Sequence, residues 1–205
     1  CIYMIIQWIG GSGFKLQIDK TIVVIDPYGE DVGLRQNTLK ADIVLSSGFG
    51  SIDTARVKPA EEKVVLIDSP GEYESHGIFV YGVDGKAGNL FVVNAEGVTI
   101  GHCAGISGGL TNYQLEYIEG VDVLLLPVGA HDVLDAKKAP DVISQIEPRI
   151  VIPMDYAIKG YKPKRDEVDG FFKAVGAKDL VAEEKLRITH KDLPAEETVY
   201  YKLLP

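Results

Sequence analysis

Short apolar or alternating segments recur along the chain, and each is bounded by Gly, Pro, Asp or Asn. Because the segments are about five residues long and rich in β-branched side chains, they predict β-strands. Short connections, such as 10–13 and 94–97, join neighbouring segments and indicate antiparallel hairpins. The predicted strands are Met4–Ile9, Phe14–Ile18, Thr21–Asp26, Asp42–Leu45, Lys63–Asp68, Ile78–Val83, Asn89–Asn94, Val98–His102, Val121–Pro127 and Arg149–Pro153.

Helical spacing of apolar residues appears mostly in the second half of the chain. Thr111 is a capping residue for a helix that begins directly after it. A second helix is predicted over Leu134–Ile146. A third is predicted over Lys164–Val175, where the apolar residues share one face and Gly176 closes the helix. The tail, 186–203, returns to strand character around the sequence THKDLPAEE.

No shift of composition, internal repeat or low-complexity linker divides the sequence. Many strands come first, and strands that alternate with helices follow, so all of these elements can contribute to one core. The sequence therefore predicts a single domain over residues 1–205, in which two sheets are covered by helices as an α/β sandwich.

The charge and composition of the chain argue against several classes of function. The chain has 205 residues, of which 46% are hydrophobic, with a net charge of −9. An acidic chain lacks the basic face that binds nucleic acid or anionic membranes, so we expect neither partner. No apolar run reaches the ~20 residues that cross a bilayer, and the N-terminal residues lack the layout of a signal peptide. Cys1 and Cys103 make no disulfide framework, so a cytoplasmic protein with reduced thiols is expected.

Five segments then fall in one fixed order along the chain. They are WIGGSGFKLQIDKTIVVIDPY (8–28), ADIVLSSGFGSID (41–53), IDSPGEYESHGIFVYGV (67–83), GVTIGHCAGISGGLTNYQLEYIEGVDVLLLPVGA (97–130) and QIEPRIVIPMDY (145–156). Together they resemble the metallo-β-lactamase superfamily, in particular its small, lactonase-like branch of Zn-dependent hydrolases. The resemblance implies a four-layer αββα sandwich, with a metal site at the strand ends between the two sheets.

The family's main metal motif, His-x-His-x-Asp-His, lies in the loop after the ADIVL strand. Neutral imidazoles and a carboxylate bind Zn²⁺ there, and the metal lowers the pKa of a bound water to about 7. Aligned to that motif without gaps, Gly48 and Gly50 take the places of the first two histidines. Ile52 takes the place of the aspartate, and Asp53 that of the last histidine.

The other metal positions of the family show the same loss. Gly11 stands where the resemblance places an N-terminal His, Gly105 where it places the metal-bridging Asp, and Asp155 where it places the final His. Glycine and isoleucine have no donor atom, whereas a Zn²⁺ site needs three or four donors. The resemblance, with its ligands lost, therefore implies no bound metal and no other cofactor.

Some polar residues remain near the former metal site. Asp26 and His102 are the residual polar pair, and Asp26 follows a strand in an Asp-Pro turn where its side chain can bind backbone N–H groups. Asp26, Asp53 and Asp155 are oxygen donors that could hold Mg²⁺ or Ca²⁺ instead. His102 and Cys103 are adjacent on a strand and point to opposite faces, so they do not form a catalytic pair. No catalytic residue is assigned, because the following serines have no histidine in a triad pattern: Ser12, Ser46, Ser47 and Ser51.

Three hypotheses of function follow. The first is a metal-free, catalytically inactive protein that serves as a binding or assembly subunit, as a homo-oligomer or together with an active paralogue. The second is a hydrolase that uses an oxygen-ligated or relocated site. The third is a sensor that binds a small molecule in the former active-site cleft. A surviving cluster of three or more convergent donors would favour the second.

Overall fold

The computed structural model describes residues 3–35, 38–178, 180 and 182–205, so Cys1 lies outside the described residues. The strands are β1 (Met4–Gly10), β2 (Gly13–Ile18), β3 (Thr21–Ile25), β4 (Leu39–Ala41), β5 (Ile43–Leu45), β6 (Val57–Pro59), β7 (Val65–Ile67), β8 (Gly71–Ser75), β9 (Ile78–Val83), β10 (Leu90–Ala95), β11 (Val98–His102), β12 (Val123–Pro127), β13 (Ile150–Met154), β14 (Ala182–Glu183), β15 (Leu186–Ile188), β16 (Val199–Tyr200) and β17 (Lys202–Leu203). The α-helices are α1 (Asn112–Ile118), α2 (Ala139–Ile146) and α3 (Asp169–Ala174).

The first sheet has six strands in the order β15-β1-β2-β3-β5-β7. Antiparallel hairpins join β1, β2 and β3, whereas β3, β5 and β7 are parallel. The alternating pattern of β1 sends Met4, Ile6 and Trp8 into the core and leaves the residues between them half-buried. The turn between β1 and β2 is made by Gly11 and Ser12, as the hairpin prediction required.

The second sheet has seven strands in the order β16-β13-β12-β11-β10-β9-β8. Strands β12 and β13 are parallel and lie in its interior, and all their residues are buried. An unbroken apolar run is what a parallel strand needs when both of its faces are covered.

Both sheets contribute to one apolar core, and the helices add to it through Ile118, Val142, Ile146 and Phe171. A smaller cluster of Val24, Ala41, Val44 and Val57 lies beside the first sheet, where β4 and β6 pair. The structure thus has the predicted α/β sandwich fold, with two sheets and covering elements. None of its helices, over the described ranges, has the length and apolarity needed to cross a membrane.

The first helix begins as predicted, and the second is shorter. Thr111 and Gln114 form a reciprocal capping box at the start of α1. The prediction of a helix from Leu134 was wrong, because Leu134 and Asp135 are not helical and the three residues 136–138 form a turn before α2. There the Asp135 side chain accepts a hydrogen bond from Lys137 N at 2.8 Å, and Asp135 also pairs with Gly129 in an isolated bridge. A local side-chain bond of this kind competes with helix formation.

The third helix and the tail also differ from their predictions. The segment 164–168 is held in a non-helical conformation, since Asp166 N donates to Gly129 O at 2.8 Å. In the tail, the Asp192 side chain closes a capping box with Thr189 around a 3-10 turn. The residues THKDLPAEE are therefore turns, and strands occur only on either side of them. Short strands β4, β6 and β8 were not predicted.

Candidate functional site

Four of the eight described non-glycine residues with positive φ lie beyond the ends of strands of the two sheets, and the other four lie in hairpin turns or at the end of α2. Asp26 follows β3 with φ of 44°, and Asp155 follows β13 with φ of 50°. Ala130 and His131, shortly after β12, have φ of 58° and 62°. Such conformations are uncommon outside glycine and are concentrated at functional sites. Ligands of α/β proteins also bind beyond the carboxyl ends of strands, so this edge is the candidate site.

Asp155 lies at the centre of this edge and is held by two other side chains. Arg165 binds it in a two-pronged geometry, with Nε 2.9 Å from Oδ1 and Nη2 3.0 Å from Oδ2. The Tyr161 hydroxyl donates to the same Oδ1 at 2.8 Å. The side chains of Asp155 and Arg165 are only 2% and 5% exposed, so the pair is almost entirely removed from water.

Further contacts fix the charge state of this cluster. Arg165 Nη1 donates to Asp132 and, at 2.8 Å, to Lys164 O. Burial by itself lowers the pKa of Arg165, but the hydrogen bonds and charge of Asp155 outweigh this effect and raise the pKa. Burial and the Asp155 charge raise the pKa of Tyr161. Arg165 is therefore a permanent cation, and Tyr161 a permanent hydrogen-bond donor, at neutral pH.

A cavity of about 320 Å³ opens beside this cluster. Asp155, Tyr161 and Arg165 line one part of it, and Asp31 and Ser51 are also among its lining residues. Asp31 is exposed and accepts a hydrogen bond from the Ser51 hydroxyl. A cavity of this size, with several polar groups that converge on it, is suited to a small substrate.

Large side chains fill the space beside two of the glycines that replace metal ligands. At Gly11, a Cβ atom would lie 2.9 Å from the Tyr161 hydroxyl oxygen. At Gly105, it would lie 2.6 Å from Cδ2 of Phe49. Both glycines also have positive φ, at 56° and 71°. A side chain at either position would therefore collide with a residue from a different loop, in a backbone conformation that disfavours it.

The loop after β5 has a different geometry. Gly48 and Gly50 have φ of 78° and 76°, and a Cβ atom at either would meet no described atom within 4 Å. Ile52 pairs with Tyr28 in an isolated antiparallel bridge. Asp53 accepts a hydrogen bond from Ala55 N at 3.2 Å and thereby caps a short 3-10 turn. These residues shape the loop and do not converge on one point.

Asp26 and His102 lie in the interior and not on the cavity wall, since they are 1% and 0% exposed. Asp26 accepts hydrogen bonds from both N and Oγ of Ser47, each at 2.7 Å. His102 Nε2 lies 2.8 Å from Ser12 O and 3.9 Å from Asp26 Oδ2, while its Nδ1 has no partner among the described residues. Burial raises the pKa of Asp26, although the nearby His102 opposes the shift. The prediction that this pair lines the cleft is corrected here.

The residues present do not fit the zinc set of the family. In the part of the chain that the structure describes, no three His, Cys, Asp or Glu side chains come close enough together to hold a metal ion. Asp26 binds Ser47, Asp53 caps a turn, and both oxygens of Asp155 are bound by Arg165. The three carboxylates considered for Mg²⁺ or Ca²⁺ therefore have separate structural partners and do not form one oxygen site.

Comparison with known proteins gives the family. The model of the β-lactamase superfamily domain matches residues 5–155, and the chain belongs to this superfamily, in its metallo-β-lactamase branch. A UPF0173 metal-dependent hydrolase from Pyrococcus abyssi is 34% identical over 141 residues, which cover 67% of this chain and 60% of the relative. A UPF0173 metal-dependent hydrolase from Methanosarcina mazei is 33% identical over 143 residues, or 69% of this chain and 60% of that protein. The chain thus matches about 60% of the length of these curated relatives.

Solved structures agree with this family and fold. A Zn-dependent hydrolase of the metallo-β-lactamase superfamily, so named, from Thermotoga maritima matches with a TM-score of 0.83 and 29% identity. The match covers 98% of this chain and 100% of the other. The metallo hydrolase Igni18 from Ignicoccus hospitalis has a TM-score of 0.69 over 91% of this chain and 98% of the other, and its 19% identity supports the fold alone.

These relatives overturn the first hypothesis of function. The prediction of a catalytically inactive binding or assembly subunit was wrong, because the similar proteins are named as hydrolases. The prediction equated the loss of one ligand set with the loss of activity. It did not include Tyr161 and Arg165, which bring a hydroxyl and a cation to the same edge. Neither residue belongs to a motif in the sequence, and a buried arginine is not distinguishable there from an exposed one.

Proposed function

We propose that this chain is a hydrolase whose substrate binds in the cavity beside Asp155. The proposal takes its reaction class from the relatives that are named as metal-dependent hydrolases. One observation supports the choice of this cavity. The buried Asp155 binds Arg165 and Tyr161 at the edge where the strands end, and its backbone has positive φ. The proposal is the hydrolase alternative among the three hypotheses, with a relocated set of reacting groups.

Arg165 is suited to bind an oxygen atom of the substrate. A guanidinium has five N–H donors, and four of those of Arg165 take part in the contacts with Asp155, Asp132 and Lys164. The fifth, on Nη2, has no partner among the described residues, and we assign it to a substrate oxygen because Arg165 lines the cavity. A fixed cation that meets developing negative charge stabilises the transition state of hydrolysis, and the Tyr161 hydroxyl, which donates to Asp155, helps to hold the pair of Asp155 and Arg165 in place.

Asp31 is the group that we assign to the attacking water. Its carboxylate lines the same cavity and is exposed, so a water molecule can reach it. A carboxylate at this place can accept the proton that water loses as it attacks. Asp155 differs, because both of its oxygens are engaged by Arg165. We therefore give Asp155 the role of holding Arg165 and Tyr161 in position.

The test is a hydrolysis assay with p-nitrophenyl acetate, a γ-lactone and bis(p-nitrophenyl) phosphate, each with chelator and with added Zn²⁺. We expect turnover of at least one substrate above the buffer blank. Asp31→Asn should lower kcat about a hundredfold, in the range for loss of a general base. The control Asp19→Asn removes the same charge from an exposed turn and should leave kcat unchanged. No turnover in any arm, or equal kcat in both variants, would contradict the proposal.

A further inference from the structure

We propose that the guanidinium of Arg165 supplies, from within the chain, the positive charge that a metal ion supplies to this position in the family. The family pattern places the final metal ligand at Asp155, and here that residue binds Arg165 instead. The inference concerns the electrostatic partner of Asp155 and stands whether or not the cavity hydrolyses a substrate.

The need for a cation follows from burial. A carboxylate that is 2% exposed has lost its hydration, and it remains charged at an acceptable free energy only beside an opposite charge. A planar guanidinium matches the two carboxylate oxygens with two parallel hydrogen bonds, which gives this pair both strength and a fixed direction. The observed distances of 2.9 and 3.0 Å have this geometry.

The backbone around the pair leaves room for the arginine. A Cβ atom on Gly129 would lie 2.5 Å from Cδ and 3.1 Å from Cβ of Arg165. Asp166, the next residue, donates its N–H to Gly129 O at 2.8 Å, and Ala157 N donates to Asp166 O at 2.9 Å. The nearest atom to the Cβ on Gly129 would be the Asp155 backbone oxygen, so Gly129 permits the close approach of both the Asp155 backbone and the Arg165 side chain. These backbone bonds hold the arginine's segment against the ends of β12 and β13.

The same cation opposes metal binding at Asp155. A divalent ion at these oxygens would have to displace the guanidinium or lie beside a like charge. Without the arginine, however, the carboxylates of Asp155 and Asp132 and the Tyr161 hydroxyl would surround a vacant space. Oxygen donors of this kind suit Mg²⁺ or Mn²⁺. Loss of the arginine should therefore convert a site that does not bind divalent ions into one that does.

The experiment measures the Tm of the full chain with EDTA and with 5–10 mM MgCl₂ or MnCl₂, concentrations well above the range of weak carboxylate sites. We expect wild-type Tm to be equal in all conditions and Arg165→Ala to lower Tm by about 10 °C, as loss of one partner of a buried pair implies. Mn²⁺ should restore part of this loss in Arg165→Ala but none in Arg165→Ala/Asp155→Asn. The control Arg149→Ala breaks a pair whose arginine side chain is 48% exposed, and its Tm should change little.

Arg165→Lys covers the case in which Arg165→Ala does not fold. Lysine keeps the charge but lacks the two-pronged geometry, so its Tm should be lower than that of the wild type and insensitive to Mn²⁺. Elemental analysis of the wild type accompanies these scans. About one metal ion per wild-type chain, with a fall of Tm on chelation, would overturn the inference, as would Arg165→Ala with wild-type Tm. These readouts do not use turnover, so failure here is distinct from failure of the proposed function.

Discussion

Asp26 and Asp155 are the same residue type in matching places, and they are stabilised in different ways. Each follows a strand of a different sheet, each has positive φ, and each is almost fully buried. Asp26 receives two hydrogen bonds from Ser47 and has His102 at 3.9 Å. Asp155 receives two hydrogen bonds from the Arg165 guanidinium and one from Tyr161.

The difference shows two ways in which a buried carboxyl group is stabilised in this fold. At Asp26, burial prevails over its hydrogen bonds and raises the pKa, so the proton is held more tightly than in water. At Asp155, a permanent cation provides the opposite charge. We therefore expect Asp26 to respond to pH and Asp155 to respond to the loss of its partner. Because Asp155 and its partners line the cavity and Asp26 does not, Asp155 is the one of these two carboxyl groups that is placed to contact a substrate there.

The largest expected effect comes from breaking the ion pair. Asp155→Asn leaves the buried guanidinium with the exposed Asp132 as its remaining charged partner, and we expect the free energy of unfolding to fall by about 3 kcal/mol. Urea unfolding at neutral pH measures it. The control Asp132→Asn removes a partner whose side chain is 63% exposed, and it should cost less than about 1 kcal/mol. Equal losses in the two variants would show that burial does not distinguish these carboxylates.

A smaller effect is expected from exposing the buried Asp26 cluster, which consists of Asp26, Ser47 and His102. Phe49 N donates to Ser47 Oγ at 3.1 Å, and the Phe49 ring packs against Gly105, so this residue covers the cluster. Phe49→Ala should lower the free energy of unfolding by about 1.5–2 kcal/mol, since the ring is only partly buried. Phe79→Ala, at a ring that is 50% exposed, should cost less than half of that. If urea unfolding shows that Phe79→Ala lowers the free energy of unfolding by as much as Phe49→Ala, or by more, then Phe49 does not cover this cluster.

The smallest effect is a difference in pH dependence. The raised pKa of Asp26 means that, above an ordinary carboxyl value of about 3.9, the folded chain keeps a proton that the unfolded chain loses. The stability that this proton provides is lost as the pH rises through the folded pKa. Asp26→Asn cannot titrate, so the unfolding free energy of wild type minus that of the variant should decrease from pH 4 towards neutrality. A difference that is constant or rises with pH, in denaturation series, would contradict this sign.

Much of the fold could be predicted from the sequence because its signals are local. The apolar run predicted as the strand Val121–Pro127 contains β12 (Val123–Pro127), and Thr111 caps α1 through a bond three residues away. The helix predicted from Leu134 failed because Asp135 binds Lys137 and pairs with Gly129, and helical periodicity does not reveal this competition. Strands as short as β4 and β6 carry too few residues to show a period.

The resemblance to the family indicated where the candidate site lies, but the sequence did not indicate which side chains surround it. Gly11, Gly105 and Asp155 could be placed by their resemblance to the family's motifs. The residues that occupy the neighbouring space, Tyr161 and Phe49, come from other loops, and no local pattern connects them to those glycines. Whether a polar residue is buried depends on the tertiary fold, so the partner of Asp155 became identifiable only from the structure.

The most direct test of the ion-pair account is a double-mutant cycle on Asp155 and Arg165. The cycle compares the free energies of unfolding of wild type, Asp155→Asn, Arg165→Gln and the double variant, in EDTA and at neutral pH. The account predicts that the double variant is more stable than the sum of the two losses implies, by about 2 kcal/mol or more, because each single variant leaves a buried charge without its main partner. Losses that add to within about 0.5 kcal/mol would contradict the claim that Arg165 is the cation that Asp155 requires.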